Sequence, residues 1–330
     1  MNRGRNIRTD LALETRELLR DESSGDEING VEIDVEEDEE LGVTVTWVRI
    51  TNREGAEAMG KPIGNYITLE SDALKENDIE THEEIVKIMA RKLGQLHKLR
   101  KNAAILVIGL GNWNVTPDAL GPKVCGKILV TRHVSDDAPE ELKGKIRPVS
   151  ALSPGVMGLT GIETGEVVKG VTEKIKPDLI VAIDALAARR TSRINATIQI
   201  SDTGINPGAG LGNKRMSLSK ETLGVPVIAV GVPTVVDAAT IVNDTMDRML
   251  DAMKAAMPKG EAFYDMLSEL RDEEKYTFIR EILDPYAGNM FVTPKDVDAV
   301  INRLAAVIAG ALNIALHPGV TAEDVNRYLS

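Results

Sequence analysis

Residues 43–50 read VTVTWVRI, apolar and polar side chains in alternation, the mark of a strand with one buried face. Farther along, the pattern changes. Residues 103–109 (AAILVIG), 179–183 (LIVAI) and 227–230 (VIAV) are short runs without a polar position, which suits strands covered on both faces. Helical spacing follows at residues 83–99, 122–130, 237–256, 261–282 and 295–314. Residues 192–200 alternate and predict a strand nearer a sheet edge, and residues 10–20 (DLALETRELLR) predict a loosely tethered helix behind a basic tail. Strands alternating with helices over this length imply one α/β domain. Its expected architecture is a mostly parallel, mixed sheet flanked by helices, with a β-rich part at about residues 28–80 and helical segments inserted and at the C-terminus.

Composition narrows the function classes. The chain has 330 residues, a net charge of −12 and few aromatic side chains (3%), with Ala, Val, Ile, Leu and Gly dominant. An acidic surface disfavours adhesion to DNA or anionic membranes, so neither nucleic acid nor membrane is an expected partner. The block Glu36 to Glu40 predicts a solvated loop between two strands. Cys125 is the single cysteine, which removes any intrachain disulfide and any cysteine-based zinc site. The start lacks the apolar segment of a signal peptide, and no run of about 18 apolar residues is uninterrupted, so a cytoplasmic location is expected.

Ligands of open α/β sheets bind at the carboxyl ends of the strands. Two aspartates sit there: Asp118, in the turn TPDALGP, and Asp184, at the end of LIVAI. Either alone reads as a helix N-cap. Facing one crevice on neighbouring strands, roughly 5–10 Å apart, the pair would share a water or a proton. Repulsion would raise one pKa and leave one acid and one base, the equipment of hydrolysis. Asn112, Asp202, Lys214, Arg215 and Asp237 also follow strands and are the candidates for contacting a substrate. Asp202 and Asp237 read equally as caps or loop ion pairs, Lys214 and Arg215 as a carboxylate clamp or surface pairs, and Arg189-Arg190 as a solvated helix face. The Gly109-Leu110-Gly111 turn lacks the third glycine of a dinucleotide fingerprint, Asn114 standing in its place, and predicts instead a close approach by a substrate backbone. The four histidines are scattered and G-x-S-x-G is absent, so neither a zinc peptidase nor a serine hydrolase is indicated.

Longer motifs carry a resemblance. RTDLA at 8–12, VIGLGNWNVTPDALGPKV, PVSALSPGVMGLTGIET, VAIDALAAR, NATIQISDTGINPGAGLGNKR and GVPTVVDA together resemble the germination proteases of spore-forming bacteria, from about residue 8 to 330. The resemblance implies a phosphorylase/hydrolase-like fold similar to that of the hydrogenase maturation peptidases. It implies an endopeptidase of small acid-soluble spore proteins, homotetrameric, housed in the forespore and spore core. It places catalytic aspartates at Asp118 and Asp184. It also implies a zymogen that cuts itself between Asp10 and Leu11, making residues 1–10 a propeptide and 11–330 the peptidase domain. No histidine lies in the strand-end stretches, so neither metal nor cofactor is expected. Two other readings remain: a metal- or phosphate-dependent hydrolase or phosphorylase using the glycine-rich loop at 204–215, and a non-enzymatic binder of small basic proteins.

Overall fold

The computed structural model describes residues 10–22, 28–134, 143–207, 215–256, 272–287 and 290–324. In chain order the elements are α1 (Ala12–Glu22), β1 (Val31–Asp38), β2 (Val43–Ile50), α2 (Arg53–Met59), β3 (Gly64–Glu70), α3 (Ile79–Leu96), β4 (Ile105–Gly109) and α4 (Leu120–Cys125). There follow β5 (Val149–Leu152), α5 (Met157–Thr160), α6 (Thr164–Ile175), β6 (Leu179–Ala188), β7 (Thr197–Ser201), α7 (Lys220–Leu223) and β8 (Val227–Asp237). The last four are α8 (Ala238–Ala256), α9 (Asp272–Ala287), β9 (Phe291–Val292) and α10 (Val297–Leu316).

The strands form one mixed sheet in the order β1-β2-β3-β7-β8-β6-β4-β5, with β9 added to the end of β8. The β8-β6-β4-β5 half is parallel; the β1-β2-β3-β7-β8 half is antiparallel. Strand β4 shows why its sequence has no polar position. Ile105 and Val107 join a core with Leu304 and Ile308 of α10, Met89 of α3 and Leu120 of α4. Leu106 and Ile108 point the other way, into a second core with Ile180 and Val168 of α6. Farther along that second face, Ala12 of α1 and Met59 of α2 pack on Val48, Ile50 and Tyr66. Helices therefore cover both faces, as the apolar runs require.

Several boundaries differ from the sequence expectation. Strand β7 lies between β3 and β8 in the middle of the sheet, not at an edge. Strands β6 and β8 run on together to Ala188 and Val236, so Asp184 sits within β6 instead of ending it. Arg189-Arg190 is not a helix face: it follows β6, Arg189 is buried, and both backbone amides donate to the Glu14 carboxylate. Helix α4 stops at Cys125, short of residue 130. Residues 261–271, the first part of the helix expected at 261–282, lie outside the described residues.

Helix α1 is not loosely tethered. Leu11 and Ala12 have no exposed surface, and Glu14 is 1% exposed. Arg193 holds Glu17 at 2.7 Å and Glu70 at 2.8 Å, which ties α1 to β3 through one guanidinium. Helix α10 has the length and apolarity of a membrane span, but its apolar positions are spent on the core, where Ile301, Leu304, Ile308 and Leu312 are fully buried. Replacing Leu304 by Ala should cost about 2–5 kcal/mol, because the cavity falls between two rigid layers. A urea titration of the variant against the parent measures it.

Candidate active site

Strand β4 ends at Gly109, whereas its neighbour β6, and β8 on the far side of β6, continue past that point. The chain after β4 turns back through a short 3-10 turn, Thr116–Asp118, into α4. Two glycines permit this. A Cβ on Gly111, whose φ is +113°, would lie 1.9 Å from the Asp118 carbonyl oxygen; one on Gly121 would lie 2.3 Å from that of Leu110. The backbone admitted by the Gly109-Leu110-Gly111 turn is thus the chain's own, where the sequence suggested a substrate's.

The turn aims Asp118 at β6. Its Oδ2 accepts the Asn112 N–H at 2.8 Å, and α4 is not capped by it. Asp184 is no helix cap either, since β6 continues beyond it; its Oδ1 accepts the N–H of Ala185 at 2.9 Å. Both carboxylates line a cavity of about 360 Å³, together with Asp10, Arg215 and Thr234. Burial pushes the Asp118 carboxyl up, against the opposing pull of the Asn112 amide and of Arg215. Burial pushes Asp184 up much further, and the charges of Asp118 and Asp10 add to it. Asp184 is therefore the harder of the two to ionise.

The remaining candidates separate. Arg215 lines the cavity and attracts both aspartates. Asn112 contributes its backbone amide, while its side chain accepts the Asn114 N–H at 3.0 Å and shapes the turn. Asp202 binds the backbone and side chain of Asn65, at 2.8 and 2.6 Å, and lines a separate cavity of about 550 Å³. Asp237 accepts the Ala239 N–H at 2.9 Å at the start of α8, away from the pair. Lys214 and the glycine-rich residues 208–213 lie outside the described residues.

The chain's own N-terminal segment enters this crevice. Asp10 lines both cavities, and its Oδ2 accepts the Ala187 N–H at 3.2 Å. The Gln199 side chain brackets Leu11, donating to the Asp10 carbonyl at 3.2 Å and accepting the Ala12 N–H at 2.6 Å. Lys61 donates to the same carbonyl at 3.0 Å. Neither Gln199 nor Lys61 was singled out by the sequence. The signal lies in strand register: Gln199 and Asp184 both pair with Gly231, one from each side, which puts them on one row and one face of the sheet.

A family model described as germination protease matches residues 10–262 and 255–329, nearly the whole chain. The chain belongs to the germination protease family. It is accordingly a peptidase. The germination protease of Clostridium tetani is 52% identical over 324 residues, covering 98% of this chain and 99% of that protein. That of Caldanaerobacter subterraneus subsp. tengcongensis is 50% identical over 323 residues, 98% of each chain. That of Bacillus pumilus is 46% identical over 358 aligned positions, 98% of this chain and 96% of that one. A NiFe-hydrogenase maturation protease from Thermococcus kodakarensis KOD1 superposes with a TM-score of 0.31 at 18% identity, covering 64% of this chain and 92% of that one, too slight a likeness to build on.

The buried acid has a consequence for stability. A carboxyl whose folded pKa is raised favours folding while protonated and loses that contribution as pH rises through the folded value. Asp184→Asn should therefore be more stable than the parent at neutral pH, because the amide has no charge to bury. The gap should close on acidification. Unfolding midpoints of the two proteins across pH read it directly.

Proposed function

We propose that this peptidase opens the degradation of small acid-soluble spore proteins at germination, that it is made as a zymogen which cuts itself between Asp10 and Leu11, and that Asp118 and Asp184 perform the hydrolysis. One observation carries the reading. The chain's own Asp10 shares the crevice with both aspartates, its charge acts on Asp184, and Gln199 holds the Asp10 carbonyl and the Ala12 amide on either side of Leu11. A peptide is thus seated where the acid-base pair lies. The substrate class comes from family membership, since germination is the process for which the relatives are named.

In this mechanism Asp184, the more deeply buried of the two, holds the shared proton, and Asp118 is the ionised partner. Asp118 takes a proton from water as that water attacks the peptide carbonyl. Asp184 gives its proton to the departing amine nitrogen. Arg215 limits the repulsion between them and favours the ionised form of Asp118.

The test is replacement of either aspartate by Asn, with cleavage of an intact spore protein as readout. Each variant should lose about 10²–10⁴-fold in rate, the usual share of an acid or base; a variant at the parental rate removes that residue from the mechanism. N-terminal sequencing of the processed protein should give Leu11 as first residue, and any other start refutes the assigned bond. The pH profile should be a bell. Its acid limb reports Asp118, which must be ionised, and its alkaline limb Asp184, which must be protonated; because both groups are raised, both limbs should lie above the ordinary carboxylate range.

A further inference from the structure

The carbonyl oxygen of Asp10 receives two donors from separate parts of the fold. Lys61 Nζ lies 3.0 Å away and Gln199 Nε2 lies 3.2 Å away. The two are fixed independently. Gly60, in the left-handed conformation at φ 60°, ends α2 and delivers Lys61 to the cavity wall, with Pro62 stiffening the next step. Gln199 projects from the middle of β7, 9% exposed, with its other amide atom engaged by the Ala12 N–H. Two preorganised donors on one buried peptide carbonyl, beside two carboxylates, make a particular arrangement. It is the geometry that stabilises charge where a carbonyl becomes tetrahedral.

We propose that Lys61 and Gln199 form the oxyanion site of this peptidase, holding the carbonyl oxygen of the peptide bond that is cut. The proposal rests on the reading of the bond between Asp10 and Leu11 as the self-cleaved one. The water oxygen bonds to the Asp10 carbonyl carbon while its proton passes to Asp118. The carbonyl π pair moves onto oxygen, where the Lys61 ammonium and the Gln199 amide balance the new negative charge. That pair then returns as the C–N bond breaks, and the Leu11 nitrogen takes the proton of Asp184. The products are the Asp10 carboxyl group and a Leu11 amine, with every atom of water accounted for.

The simpler alternative is that Lys61 only anchors the N-terminal segment, because it also faces the charges of Asp10 and Glu14. The two roles separate experimentally. Burial pulls the Lys61 ammonium below its ordinary value, with Asp10 and Glu14 pushing back, so an oxyanion role adds a loss of activity at high pH as Lys61 deprotonates. An arginine there stays charged and would remove that loss.

The experiment measures the first-order rate of self-processing in the full chain for Lys61→Met, Lys61→Arg, Gln199→Met and Asp184→Asn. Lys61→Met keeps the aliphatic stem and should slow processing about 10²–10³-fold. Gln199→Met should slow it by a similar or smaller factor. Lys61→Arg should recover much of the rate and extend it to higher pH. Docking is read separately, as hydrogen exchange at the Ala12 amide in the Asp184→Asn background, and it should be unchanged by Lys61→Met. If Lys61→Met and Gln199→Met process at the parental rate while Asp184→Asn does not, the oxyanion site is overturned and the aspartate reading stands. If Ala12 loses protection in step with the rate, Lys61 is an anchor and the proposal is likewise overturned. If Asp184→Asn itself processes at the parental rate, both fall together. Should Lys61→Met fail to fold, the Gln199→Met rate and the alkaline limb of Lys61→Arg decide the question.

Discussion

A carboxylate in the middle of a buried strand sets the terms for everything around it. Asp184 is 7% exposed, flanked in sequence by Ile183 and Ala185, with a second carboxylate and a third facing it. An arrangement of that kind is unfavourable wherever all the charges are present together. It persists because the sheet leaves the backbone no choice. From Ile180 to Ala188 every residue of β6 pairs with β8, so the side chain at 184 must point into the second layer. The surroundings then answer the resulting charge with a backbone amide and a guanidinium.

This explains how much of the molecule was legible beforehand. The buried strands announced themselves, since a run such as ILVIG has nowhere to go but between two layers. Both aspartates were visible as the first acidic groups after such runs. What misled was the stretch from Asp184 to Arg189, DALAAR, whose alanines and leucine favour a helix by intrinsic propensity. Pairing with β8 overrides that preference, and the strand continues. The polar positions of β7 misled in the same way: Thr197, Gln199 and Ser201 look like a solvated edge, yet all three are buried in the centre of the sheet. Lys61 and Gln199 are 138 positions apart, as their numbers show, and no local pattern links them. They meet only because β3 and β7 are neighbours.

The N-terminal segment is the other part whose meaning is tertiary. Glu14 caps the backbone amides that follow β6, and Arg193 bridges Glu17 to β3. Helix α1 is therefore a fixed wall of the second layer, and Asp10, just ahead of it, is presented to the crevice by a rigid element. Presentation by a helix already packed costs little entropy at the moment of reaction. The proposed intramolecular cut would then be a matter of geometry more than of binding.

The bracketing of Leu11 has a final consequence. A cut there would leave α1 held through Ala12, Glu14 and Glu17. It would also create an α-ammonium at Leu11 beside the two aspartates, and departure of the short N-terminal peptide would carry away the Asp10 carboxylate. A nearby negative charge is exchanged for a positive one, and both changes favour ionised aspartates. The cut chain would then titrate as a different acid from the uncut one, and a single peptide bond would set the pH at which the two proposed catalytic side chains ionise.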